Sequence, residues 1–228
     1  MQEKALPRIL PFALFMGFIG IEGLLNFLQE RSLIAISDTL LLSLYPIKVL
    51  CVAGVILFYW KHYREFAWRD AADVKMSLIS ISGGLLIFIL WITLDFEFAT
   101  QGTPPGYNPD LFEHDVLKFT MIAVRMAGAT LLVPIMEELF WRSFLIRYII
   151  STDFGKIPIG SFTWASFLLT AFLFGLEHHY ILAGVVAGII FNLVLYYTKS
   201  IVQCILAHAV ANLALGVYVL LTGQWLFW

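Results

Sequence analysis

Cysteine is nearly absent from this chain. Cys51 and Cys204 are the only two among 228 residues. Both lie in apolar runs, which argues against a disulfide framework and against a four-cysteine zinc site. Neither has a basic neighbour in sequence to favour a thiolate, so a cysteine nucleophile is not expected. Charge is scarce as well: 13% of residues are charged and the net charge is -2, against about one-quarter charged in soluble domains. A chain so weakly charged, and not basic, carries no electrostatic footprint for nucleic acid. It also lacks an internal repeat, a low-complexity tract and a stretch polar enough for a soluble domain. The first apolar run is long and has no small-residue cleavage site, so it reads as a retained membrane helix and not as a signal peptide.

What fills the chain instead is apolar: 61% hydrophobic residues and a mean hydropathy of +0.87. About 20 such residues span a bilayer core. Runs of that kind fall near 8–28, 40–60, 76–94, 116–150, 162–179, 181–198 and 201–222. The fourth is too long for one straight span and contains Pro134, which is expected to kink it. Read as one broken helix or as two elements, it gives seven or eight transmembrane helices. The expected fold is an all-α, polytopic membrane helix bundle, a single domain over 1–228. The 61–75 loop carries Lys61, Arg64, Arg69 and Lys75, whereas the 95–115 loop has no lysine or arginine. The positive-inside rule places the first loop in the cytoplasm, together with an N-terminus bearing Lys4 and Arg8. Lys156 and Lys199 assign the 151–161 and 199–200 turns to that same side. The Pro/Gly/Asn-rich 102–109 segment reads as an exposed turn, and Trp225 and Trp228 suit an interfacial belt.

Against this background the ionisable residues stand out, because charge inside a hydrophobic span is costly and marks a functional site by default. Glu137 and Glu138 sit in the fourth run. Glu138 and Arg142 are four apart and share a helix face, so they are expected to pair. Glu137 points about 100° away, toward the imidazoles of later runs, His178 and His208. At ~1.5 Å per residue from the inferred cytoplasmic turns, these three lie roughly 20, 24 and 12 Å deep, a spread that tilted helices absorb. The same arithmetic pairs Glu22 with Lys48 as a structural bridge, with Arg125 joining that network or pairing elsewhere. A carboxylate beside an imidazole can hold and deprotonate water. His208 and Asn212, four apart, can both donate to an oxyanion. Together these make a peptide hydrolase. The plainer alternative is that the polar residues only hydrogen-bond helices to one another.

The ordered run Glu137-Glu138-x-x-x-Arg142, Phe174-x-x-x-His178 and His208-x-x-x-Asn212 resembles the three-motif signature of the CAAX-protease and bacteriocin-processing family. Its members are intramembrane endopeptidases related to the prenyl-protein protease Rce1. The resemblance covers about 116–222. The run from Trp164 to the terminal Gly223-Gln224-Trp225-Leu226-Phe227-Trp228 is similar to a bacterial CAAX-protease-related subgroup associated with exosortase systems. The resemblance implies that Glu137 and His178 activate water, that His208 and Asn212 form the oxyanion site, that Glu138 supports it, that Arg142 anchors the helix and that Phe174 packs. Glu177 and His179 fall outside the signature. It implies a membrane protein or lipid-anchored peptide as substrate, a bacterial inner membrane as location, and exosortase-system components as partners. No cofactor is expected. Glu137, His178 and His208 are a conceivable zinc set, but no compact HExxH motif is present. A non-catalytic scaffold or immunity-type protein and an ion- or proton-coupled transporter are the other function classes.

Overall fold

Long apolar stretches leave the backbone one economical solution in lipid, which is to satisfy its own hydrogen bonds as helix. A computed structural model describes residues 2–102 and 106–228, the side chains of Gln2 and Glu3 excepted. Thr103, Pro104 and Pro105, part of the expected 102–109 turn, lie outside the described residues. Among the described residues, six helices are long and apolar enough to cross a membrane: α1 (Gln2–Glu30), α2 (Asp38–Phe58), α3 (Val74–Trp91), α4 (Asp115–Ile150), α6 (Ile181–Thr198) and α7 (Ile201–Thr222). A shorter apolar helix, α5 (Trp164–Leu176), makes the seventh. No strand forms among the described residues. The only ladder contact there is an isolated bridge between Thr100 and Tyr180. Large apolar side chains such as Leu50 and Leu221 point outward, 72% and 82% exposed, as a lipid-solvated surface requires.

The fourth apolar run is one continuous helix, not two elements, and its irregularity is a change of winding. It is α-helical over Asp115–Ala127, widens to π over Gly128–Leu132, returns to α over Val133–Glu138, and widens again over Leu139–Leu145. Pro134 explains the first change. In the wide turn Val133 N–H donates five residues back to Gly128 O. Ala129 O would next take residue 134, which has no N–H to give. Asn212 of α7 fills the gap, donating from Nδ2 to Ala129 O at 2.8 Å. The expected kink is thus absorbed as π-helix, a local form often found at functional sites.

Small residues set the packing of α5 on α6. A Cβ on Gly175 would lie 2.8 Å from Ile181 O, and one on Gly184 would lie 2.9 Å from the Cα of Gly175. Only glycine permits that approach, and close backbone contact is how helices associate in lipid. The tight turn between them, residues 177–180, is pinned by the neighbouring loop. Gln101 donates from Nε2 to Leu176 O and His178 O at 2.8 and 2.9 Å, and from its backbone N to His179 O at 2.8 Å.

The opposite end of the bundle is held by ions. Arg8 of α1 meets Glu65 of the 59–73 loop through two hydrogen bonds of 2.7 and 2.6 Å, and also reaches Ser143 of α4 at 3.1 Å. The Ser143 hydroxyl donates to Glu65 and accepts from Arg147 Nη2 at 2.9 Å. Gln203, at the start of α7, joins Asp70 O at 2.7 Å. These bonds gather the N-terminus and the lysine- and arginine-bearing loops at one end. Burial alone would raise the Glu65 carboxyl, but the Arg8 guanidinium and then the Ser143 hydroxyl outweigh it and hold it below the usual range. Because its folded value lies below the unfolded one of about 4.3, Glu65 contributes stability above that pH and loses it as pH falls through the folded value. Arg8→Ala should lower stability by about 3–5 kcal/mol by stranding the buried carboxylate. Unfolding midpoints in detergent across a pH series check this: the wild type should lose stability on acidification below pH of about 4.3, and the variant's profile should be flatter there.

Candidate active site

The wide turns of α4 present Glu137 and Glu138 to different neighbours. Met136 and Leu139, on the face between them, are buried with Val52, Ile56 and Tyr63. Trp141 packs on the other side with Phe174, Phe191 and Leu195. Two apolar clusters therefore clamp the turn that carries the carboxylates.

Glu138 is fully buried. One of its oxygens, Oε1, takes Arg142 Nη1 at 3.3 Å and His208 Nδ1 at 2.9 Å. Arg142, itself 1% exposed, lies over the rings of Phe174 and Phe191 at 4.6 and 5.0 Å. The expected Glu138–Arg142 pair forms, and it has a third member. Since a carboxylate paired with arginine only accepts, His208 donates from Nδ1, which turns its Nε2 toward Glu137. That Nε2 lies 3.9 Å from Glu137 Oε2, too far for a hydrogen bond.

His178 is set by its own helix. Its Nδ1 lies 2.7 Å from Phe174 O; a carbonyl only accepts, so Nδ1 is the protonated nitrogen. The ring rests edge-on against Trp91, with centroids 5.1 Å apart. The adjacent imidazole goes elsewhere: His179 is exposed, with Nδ1 2.9 Å from Gln101 O. Glu137, His178, His208 and Asn212 all line one cavity of about 230 Å³. Asn212 enters it with one amide hydrogen committed to Ala129 O, leaving the second N–H to donate.

The structure adds Glu177. One atom each of Glu137, Glu177 and His178 lie within 4.8 Å of one another. Trp141 Nε1 donates to Glu177 Oε1 at 3.1 Å, and Glu177 Oε2 has no partner. An acidic residue within an apolar run is itself a signal, and it was available at Glu177. The ligand-competent trio differs from the set considered above: Glu177 stands where His208 was expected. The cavity lining reaches Trp91 at the end of α3 and Phe227 and Trp228 just beyond α7, the ends farthest from the turns bearing Lys156 and Lys199.

A family model described as type II CAAX prenyl endopeptidase Rce1-like matches residues 119–214. That segment is an Rce1-like domain. No curated protein and no solved structure in the comparisons matches the chain. The Rce1-like domain takes in both π turns of α4, all of α5 and α6, and α7 as far as Ala214. It therefore contains every residue of the cavity's polar wall named so far. Such a domain within a bundle of membrane-length apolar helices supports an integral membrane protein, and it supports intramembrane endopeptidase activity in general. The finer exosortase-associated subgroup is not distinguished by the match, which ends before Gly223–Trp228.

Arg142→Ala should leave Glu138 buried and half-paired, and cost about 3–5 kcal/mol. Glu137→Gln removes no hydrogen bond of the fold and should unfold at the wild-type temperature. Thermal unfolding of the two purified variants measures the contrast.

Proposed function

We propose that the protein is a glutamate-dependent intramembrane endopeptidase that cleaves a membrane-associated protein or lipid-anchored peptide with an activated water. The supporting observation is the convergence of Glu137 and His178 on one buried cavity, with ligand atoms no more than 4.8 Å apart. One water bridges such a span with two hydrogen bonds of about 2.8 Å. In this reading Glu137 takes a proton from the water, and the hydroxide attacks the scissile carbonyl carbon. The second N–H of Asn212 donates to the oxyanion. His208 donates from Nε2 only when its ring is doubly protonated, because Nδ1 already serves Glu138. As the C–N bond breaks, the proton held by Glu137 passes to the leaving nitrogen. Glu138 and Arg142 act by positioning His208, and Glu177 by facing Glu137 across the water.

Zinc is the competing source of activated water. Glu137, Glu177 and His178 would hold it, and it would supply a bound hydroxide at neutral pH. Catalytic zinc sites commonly use two or three imidazoles, or thiolates, among their three protein ligands; this trio offers one imidazole. The metal-free reading is preferred on that ground. With the N-terminus and basic loops in the cytoplasm, the cavity faces the opposite leaflet, so the substrate would be cut on the outer side. Localisation in a bacterial inner membrane and partnership with exosortase-system components remain part of this reading.

The test is to compare peptide products from membranes carrying wild type and Glu137→Gln. The variant should lose hydrolysis by a factor of about 10² or more, and equal activity would overturn the assignment. Activity should survive a strong chelator. Loss on chelation, reversed by stoichiometric zinc, would transfer the role to the Glu137–Glu177–His178 trio. Peptide added to right-side-out vesicles should be cut and peptide added to inverted vesicles should not; the reverse would overturn the orientation.

A further inference from the structure

Arg125 is a cation that the water chemistry leaves unused. It sits in α4 twelve residues before Glu137 and lines the same cavity. Among the described residues no carboxylate pairs with it. Glu22 is spent on Lys48, whose Nζ meets both its oxygens at 3.0 and 2.9 Å. The Arg125 guanidinium lies instead over the rings of Tyr45 and Tyr107, at 4.3 and 5.1 Å. Its Nε is buried without an acceptor. Two aromatic faces orient a planar cation without neutralising it. A guanidinium held in this way keeps a fork of donors suited to a planar, bidentate anion. A charge without a counter-ion in an apolar span is costly, and a bound anion would offset that cost.

We propose that Arg125 forms an anion subsite that takes a carboxylate of the substrate, either its C-terminal carboxylate or an acidic side chain. The inference rests on reading the cavity as a substrate site. At ~1.5 Å per residue the intervening helix sets Arg125 about 18 Å from Glu137. Extended peptide covers that distance in about five residues. The carboxylate therefore lies within roughly five residues of the bond that is cut. Arg125 and Glu137 line one cavity, so one extended substrate segment can present its carboxylate to Arg125 and its scissile amide to Glu137.

The experiment measures binding, so failure of the hydrolase reading shows separately, as binding without cleavage. Three probes are titrated into the full chain in zwitterionic detergent: an N-acetylated apolar hexapeptide with a free C-terminal carboxylate, its C-terminal amide, and the amide with one internal glutamate. Wild type should bind the free acid at least about tenfold more tightly than the amide. Arg125→Gln should lose that preference, and Arg125→Lys should keep part of it. Recovery of tight binding by the internal glutamate assigns the subsite to an acidic side chain; no recovery assigns it to the C-terminus. Equal binding of acid and amide by wild type, binding of none of the three, or a preference that persists in Arg125→Gln would overturn the proposal. So would stabilisation of wild type, but not Arg125→Gln, by phosphatidylglycerol together with loss of peptide discrimination. If Arg125→Gln does not fold, the wild-type comparison and Arg125→Lys still decide.

Discussion

A single buried carboxylate oxygen, Oε1 of Glu138, holds the site together. It accepts from Arg142 on its own helix and from His208 on α7, so it joins two spans inside a medium where an unpaired ion is intolerable. The desolvation cost makes the arrangement all-or-none: removing a partner leaves a buried charge, whereas the intact set is satisfied at the shared oxygen. Its consequence reaches the cavity. With Nδ1 fixed on Glu138, the His208 ring has one orientation and one free nitrogen, and that nitrogen faces Glu137. The two adjacent glutamates thus have different surroundings, one fixing an imidazole and one facing the cavity.

The rest of the wall is built by backbone economy. Pro134 withholds an N–H, α4 widens, and Asn212 is drawn to the carbonyl left over. Gly175 and Gly184 let α5 and α6 touch, and the turn between them brings Glu177 and His178 to Glu137. The Gln101 loop then fastens that turn from outside. Each device satisfies backbone polar groups that lipid would leave bare, and each also aims a side chain inward. Structural and functional readings of these polar residues are therefore not exclusive: Asn212 bonds α4 with one hydrogen and keeps the other for the cavity.

How much of this the sequence discloses varies with the kind of interaction. The helices were legible because length and hydropathy decide them, and the Glu138–Arg142 and Glu22–Lys48 pairs because charge in lipid must find a partner. The motif residues stand out in sequence by their order, and Glu137, His178, His208 and Asn212 line one cavity. The geometry linking them was not legible. Periodicity spaced Glu138 from Arg142 as on an α-helix, and cannot show that the turn between them is π-helical. Proline 134 signalled a kink, but widening of the helix requires a partner from α7 that lies some eighty residues away in sequence. Glu177 falls outside the signature, beside a motif histidine, although a carboxylate in an apolar run carries its own signal. The direction of the cavity depends on where Trp91, Phe227 and Trp228 meet, which is tertiary information.

The central claim, that Glu138 and His208 act as one unit and fix the cavity wall, is tested most directly by a double-mutant cycle. Unfolding free energies are measured for wild type, Glu138→Gln, His208→Gln and the double variant. Coupling of at least about 1 kcal/mol is predicted for residues sharing a buried hydrogen bond. Effects that add to within about 0.5 kcal/mol, as for independent sites, would contradict the account.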